Sequence, residues 1–99
     1  MTVLTVLNWP MKDPGEVLDY TLDWTSRLNL YHNPDTISSS SWSVSPAGVT
    51  ETSSTFSGNL TTVWLSGGTL GTTYTVTNTV TTTGGRTMVQ SVQLLIGNR

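Results

Sequence analysis

The sequence predicts an all-β fold, an antiparallel sandwich of about seven strands. Three observations carry that prediction. Thr73, Thr75, Thr77, Thr79 and Thr81 alternate with Tyr74, Val76, Asn78 and Val80. Such period-2 alternation marks a strand with one face in a core and one in water. The chain also holds 20 threonines and 12 serines among 99 residues. β-Branched threonine suits a half-buried pleated surface, so this excess favours sheet over helix. Finally, Thr83-Gly84-Gly85-Arg86 separates the threonine run from a second alternating run with Met88, Val92, Leu94 and Ile96 on one face. A two-residue Gly-Gly loop between two such runs predicts a β-hairpin, because glycine takes positive φ without steric cost.

The remaining elements follow in order. Thr2 to Asn8 reads as a first strand, ended by Pro10. Its apolar residues, Val3, Leu4, Val6 and Leu7, together with Trp9, fall on both faces. A terminal strand apolar on both sides suggests cover by a second chain through strand addition, or a place between sheet and loop in its own chain. Glu16 to Thr25 is the second strand. Leu18, Tyr20, Leu22 and Trp24 alternate with Asp19, Thr21, Asp23 and Thr25, which outweighs the competing helical pattern. Asn29 to Pro34 reads as a loop with turn chemistry at Asn33-Pro34-Asp35.

Thr36 to Ser45 is the third strand. Ile37 and Trp42 are an odd number of residues apart, so a bulge within Ser38 to Ser41, or a switch of sheet, must place both inside. Pro46-Ala47-Gly48 turns the chain into Val49 to Ser57, a polar strand expected at an edge. Leu60 to Ser66 is the fifth strand, with Leu60 and Trp64 on one face and Val63 and Leu65 on the other. The glycine-rich segment from Leu65 to Thr73 precedes Tyr74 near the start of a strand. It resembles the tyrosine corner of immunoglobulin-like and fibronectin type III domains, with Gly71 in the corner and the Tyr74 hydroxyl bonded to backbone a few residues upstream. The class is therefore an immunoglobulin-like or fibronectin III-like sandwich. Residues 1–12 form an N-terminal strand or assembly arm, and residues 13–99 form the sandwich domain.

Composition excludes several functions. A net charge of −2 with four Lys and Arg leaves no basic stripe for nucleic acid. No run of about 20 apolar residues spans a membrane. Met1 to Pro10 lacks the basic start and cleavage site of a signal peptide and reads as a native start. The absence of cysteine removes disulfides and thiolate metal sites and fits folding in a reducing cytosol.

No reaction centre survives a test of spacing. Asp19 and Asp23 share a strand face but lie about 13 Å apart, beyond the separation a glycosidase pair needs. The acids Asp13, Glu16, Asp19 and Asp23 lack the spacing of a calcium loop. His32 is the one histidine, and Ser66-Gly67-Gly68 opens no helix, so neither a triad nor a nucleophile elbow is expected. Gly67, Gly68 and Gly71 lack the lysine of a phosphate loop. No catalytic residue, metal or cofactor is expected. Trp24, Trp42 and Trp64 are expected in the core; exposed in a row, they would form a sugar-stacking platform.

Several segments resemble a family. Lys12-Asp13-Pro14-Gly15-Glu16-Val17-Leu18-Asp19-Tyr20-Thr21-Leu22-Asp23-Trp24, Asp35-Thr36-Ile37, Ser41-Trp42, Trp64-Leu65-Ser66-Gly67-Gly68-Thr69 and Thr82-Thr83-Gly84-Gly85-Arg86-Thr87 look like small head and tail structural proteins of tailed bacteriophages. Some of these are fiber–tail adaptors, immunoglobulin-like pieces that join tail fibers to the tail. The resemblance implies a non-enzymatic virion protein, made in the bacterial host cytoplasm. Its implied partners are a tail adaptor or nozzle protein, a tail fiber and copies of itself, with no nucleic acid or membrane. Asp19 and Asp23, on the outer face, are then expected to meet basic residues of a neighbouring subunit. A capsid decoration protein uses the same sandwich and is the alternative within this class. A carbohydrate-binding module is the alternative outside it.

Overall fold

A computed structural model describes residues 7–28 and 35–98. Two sheets pack face to face. The first holds β1 (Leu7–Asn8), β7 (Thr87–Leu95), β6 (Thr73–Thr82) and β3 (Ile37–Ser45), in that order. The second holds β2 (Leu18–Asp23), β5 (Leu60–Gly67) and β4 (Val49–Ser57). All pairings are antiparallel except β1 on β7. The order β2-β5-β4 against β3-β6-β7 is that of strands B, E, D and C, F, G in an immunoglobulin-like sandwich.

The alternation in the sequence becomes the division between core and surface. Val76, Asn78, Val80, Met88, Val92 and Leu94 point inward from β6 and β7, and Tyr20, Leu22, Val63 and Leu65 face them from the other sheet. Ile37 and Trp42 are both buried, because the register of β3 against β6 slips between Ile37 and Ser39. That bulge inverts the alternation for one step. β4 lies at a sheet edge and is mostly exposed.

Three expectations need correction. The β6–β7 hairpin has a three-residue loop, Thr83 to Gly85, closed by Thr82 N–H donating to the Arg86 carbonyl at 2.8 Å. Only Gly85 has positive φ, at 88°, as in a turn followed by a left-handed residue. Gly84 is needed for space instead: a Cβ there would lie 3.2 Å from each Asp35 carboxylate oxygen. The second strand stops at Asp23 and gives way to one helical turn, α1 (Thr25–Leu28). There Asp23 Oδ1 accepts bonds from the Thr25 amide and hydroxyl, at 2.9 and 2.6 Å. An aspartate two residues before a turn is the signal for this local structure. The third correction concerns Trp64, which is 41% exposed while Trp24 and Trp42 are buried.

Of the predicted first strand, Leu7 and Asn8 pair in parallel with Val92 and Gln93 of the same chain. Val3, Leu4 and Val6 lie outside the described residues, as does His32. The segment after β1 stays on β7: Trp9 N–H donates to Gln93 O, and Lys12 N–H to Leu95 O. Trp9 stacks on Tyr20 with ring centroids 4.5 Å apart. Its ring also lies 6.0 Å from that of Trp42, so it packs against the core between the two sheets.

Polar groups inside the core are joined to one another. Trp24 Nε1 donates to Asn78 Oδ1 and to Thr61 Oγ1, and Thr61 donates to Asn78 Oδ1 at 2.7 Å. Asn78 Nδ2 reaches Ser40 Oγ and the Ser41 carbonyl on β3. The network crosses from one sheet to the other. At the end of the sandwich, Asp35 accepts from the amides of Thr36 and Gly84 and pairs with Arg86 at 3.1 Å. Desolvation pushes its carboxyl pKa up. Hydrogen bonds from Thr82, Thr36, Gly84 and Arg86 outweigh that and hold it below the ordinary value.

Candidate functional site

The outer face of the β2-β5-β4 sheet combines charge with exposed apolar surface. β5 turns Leu60, Thr62 and Trp64 outward, because Thr61, Val63 and Leu65 fill the core. In register on one side stand Asp23, Thr21 and Asp19 of β2; on the other stand Ser57, Thr55 and Ser53 of β4. Each outward acid thus sits directly across from a large apolar residue, Asp19 from Trp64 and Asp23 from Leu60. Leu60 is 45% exposed. Val17, one position before β2, is also exposed. The Thr21 and Thr62 hydroxyls bond each other at 3.0 Å in the middle of the face, which fixes the central row.

The two acids differ in their local ties. Asp23 bonds the hydroxyl and amide of Thr25, and those bonds lower its pKa. Its carboxylate is partly spent on holding α1. Asp19 is exposed and lies near the start of β2.

Among the described residues no basic side chain balances this face. Among the described residues the cations are Lys12, Arg27 and Arg86, and each is engaged internally. Lys12 is buried, with Nζ donating to the carbonyls of Gly67 and Asp13 at 2.7 and 3.0 Å. Desolvation lowers its pKa, while Glu16 and Asp13 pull it back up. Arg27 donates to the Val89 carbonyl at 2.7 Å and lies over the Trp24 ring. Arg86 is held by Asp35. The surface that remains presents acids, hydroxyls and isolated apolar side chains.

The corner residues form a second, structural constellation. Thr69 N–H donates to the Tyr74 hydroxyl at 2.9 Å. The hydroxyl and amide of Thr69 lower the Tyr74 pKa against its burial. The same hydroxyl lies where a Cβ on Gly48 would be, 2.5 Å away. Gly71 has φ of 83° and open space around it, so its role is backbone conformation. Tyr74 therefore ties the Thr69 corner to the turn between β3 and β4.

The sequence singled out Asp19 and Asp23 but placed Trp64 inside. Leu60 and Trp64 share one face of β5 and Val63 and Leu65 share the other, two apolar faces that composition alone does not rank. Among the described residues no three His, Cys, Asp or Glu side chains are grouped to hold a metal. Trp64 is the one strongly exposed tryptophan among them, so the aromatic row of a sugar platform is not formed there. No helix among these residues is long and apolar enough to cross a membrane.

A family model described as podophage GP4 fiber-tail adaptor protein gp77 matches residues 12–95. The match begins at buried Lys12 and ends with β7. No curated protein matches the chain.

Proposed function

The chain belongs to the podophage fiber–tail adaptor family, a structural family of the phage tail, and from that premise we propose that it links tail fiber to tail through the outer face of its β2-β5-β4 sheet. The observation that supports this reading is the register of Asp19 with Trp64 and of Asp23 with Leu60. Exposed aromatic and aliphatic anchors give a partner something to bury. The acids beside them select for a basic partner surface and steer its approach. The partner is a virion protein of the fiber or the tail that offers Lys or Arg beside an apolar groove. The chain acts by shape and adhesion, with no bond made or broken.

The test is binding of the purified protein to purified fiber and tail proteins, and its incorporation into particles. Asp19→Lys and Trp64→Ala are the informative variants, because both side chains are exposed and neither anchors the fold. Each is expected to weaken binding by about tenfold or more, with the Asp19 effect shrinking at high salt. Unchanged binding and incorporation in both variants would sink this assignment of the face.

A further inference from the structure

The four sheet edges are treated differently. On one side of the sandwich, β7 is covered by β1 and the Trp9–Lys12 segment, and Arg27 takes the Val89 carbonyl beyond them. β2, on that same side, carries the Asp19 and Asp23 charges. On the other side, β4 is broken by a register shift between Glu51 and Ser53 and carries the Glu51 charge. These are the devices that keep sheet edges from pairing with other chains.

β3 lacks them. It ends its sheet, with no neighbour on its outer side among the described residues. Its bulge lies at Ser38, near one end, and Pro46 follows its other end. From Ser39 to Ser45 the strand has no charge, no proline and no break in register. Only the Ser41 carbonyl is taken by a side chain, that of Asn78. On the inner face Ser40 and Val44 remain half-buried. Trp42 Nε1 is buried and has no partner among the described residues.

We propose that β3 is a self-pairing edge, at which two copies of this chain join their four-stranded sheets antiparallel about a twofold axis. Charge selects the occupant. The edge is neutral, so a second copy meets no repulsion there, whereas the Asp19 and Asp23 face would set acids against acids. A twofold axis through Trp42 pairs Ser39 with Ser45 and Ser41 with Ser43 of the second copy on the outer face. On the inner face it brings Ser40 to Val44 and Trp42 to Trp42. Hydroxyl pairs of this kind already hold strands in the fold, at Thr77 with Ser91 (3.0 Å) and Thr21 with Thr62 (3.0 Å). The serines alone set register weakly; the half-buried Val44 against Ser40 sets it. Seven residues of edge span about 24 Å, a small contact whose strength grows with local concentration, as on a virion with several copies.

The experiment is sedimentation of the full chain over a range of concentrations, with hydrogen exchange on the same samples. A concentration-dependent dimer with slowed exchange in residues 39–45 is expected. Ser41→Lys/Ser43→Lys places lysine against lysine across the axis. It should raise the apparent dimer dissociation constant by about tenfold or more with melting unchanged, while Asp19→Lys leaves the dimer intact. A monomer at every concentration overturns the proposal. So does a dimer that the double lysine variant leaves intact, or one with no protection in β3. Protection of β3 only on adding a fiber or tail protein assigns the edge to that partner and also overturns self-pairing. None of these outcomes bears on the acidic face, which the Asp19 and Trp64 variants test separately.

Discussion

The indole N–H of Trp24 donates to the side-chain oxygen of Asn78 at 3.0 Å, and that bond joins the residue after β2 to β6 of the opposite sheet. Both side chains are buried. Asn78 occupies an inward position between Val76 and Val80, where a polar side chain is tolerated only if fully partnered. It is: Trp24 and Thr61 supply donors, and Ser40 and Ser41 accept. Asn78→Val removes the hub, leaving the Trp24 and Thr61 donors short of an acceptor and Ser40 Oγ and the Ser41 carbonyl short of a donor. The expected loss is about 3 kcal/mol, read as a lower urea midpoint with an unchanged slope.

The two buried indoles predict different costs. Trp24→Phe loses two hydrogen bonds and leaves Thr61 and Asn78 short of a donor. Trp42→Phe removes an N–H that has no partner among the described residues. Trp42→Phe is therefore expected to be milder by about 1 kcal/mol or more. Paired thermal melts check this, and equal losses would show that ring volume alone decides.

The Tyr74 hydroxyl and Gly48 divide one small space. Gly48 has φ of 142°, and an added Cβ would meet the Tyr74 oxygen at 2.5 Å. Gly58 has φ of 59° with nothing nearby. Gly58→Ala should cost about 1 kcal/mol, from backbone conformation. Gly48→Ala should cost about 2 kcal/mol or more, since the contact adds to the backbone cost. In a Tyr74→Phe background the Gly48→Ala cost should fall, which a double-mutant cycle measures.

Asp35 predicts an acid limb of stability. Its folded pKa lies below the unfolded value of about 3.9. The stability it contributes is complete above that unfolded value and is lost as pH falls through the lower folded one. Asp35→Asn should lower stability at neutral pH and flatten the pH dependence below about pH 4. An acid limb of the same steepness in the variant would assign it to other carboxylates.

Lys12 marks how the N-terminal segment is held. Its Nζ spans to the Gly67 carbonyl, next to the corner that Tyr74 closes. Lys12→Met keeps the stem but leaves two carbonyls without their donor. It should destabilise by about 1–3 kcal/mol and raise exchange at the Trp9 and Lys12 amides, which bond β7.

The sequence by itself determined the class, the succession of strands along the chain and most of the core. Those are legible because a strand alternates with period 2 and threonine runs leave little choice of face. Even the β3 irregularity follows from Ile37 and Trp42, since two buried residues of opposite parity require an extra residue between them. The acids Asp19 and Asp23 could also be placed outside, because their strand offers only one apolar face. Tertiary structure alone decided which face of β5 is core, because Leu60 and Trp64 are as apolar as Val63 and Leu65. Only packing against Val76, Val80 and their neighbours chooses between them. It also decided that Lys12 is buried and that Arg27 and Arg86 are taken up inside the chain. Those pairings join residues 51 to 62 positions apart, and no local pattern encodes them. The acidic balance of the β2-β5-β4 face among the described residues is a consequence of that long-range choice.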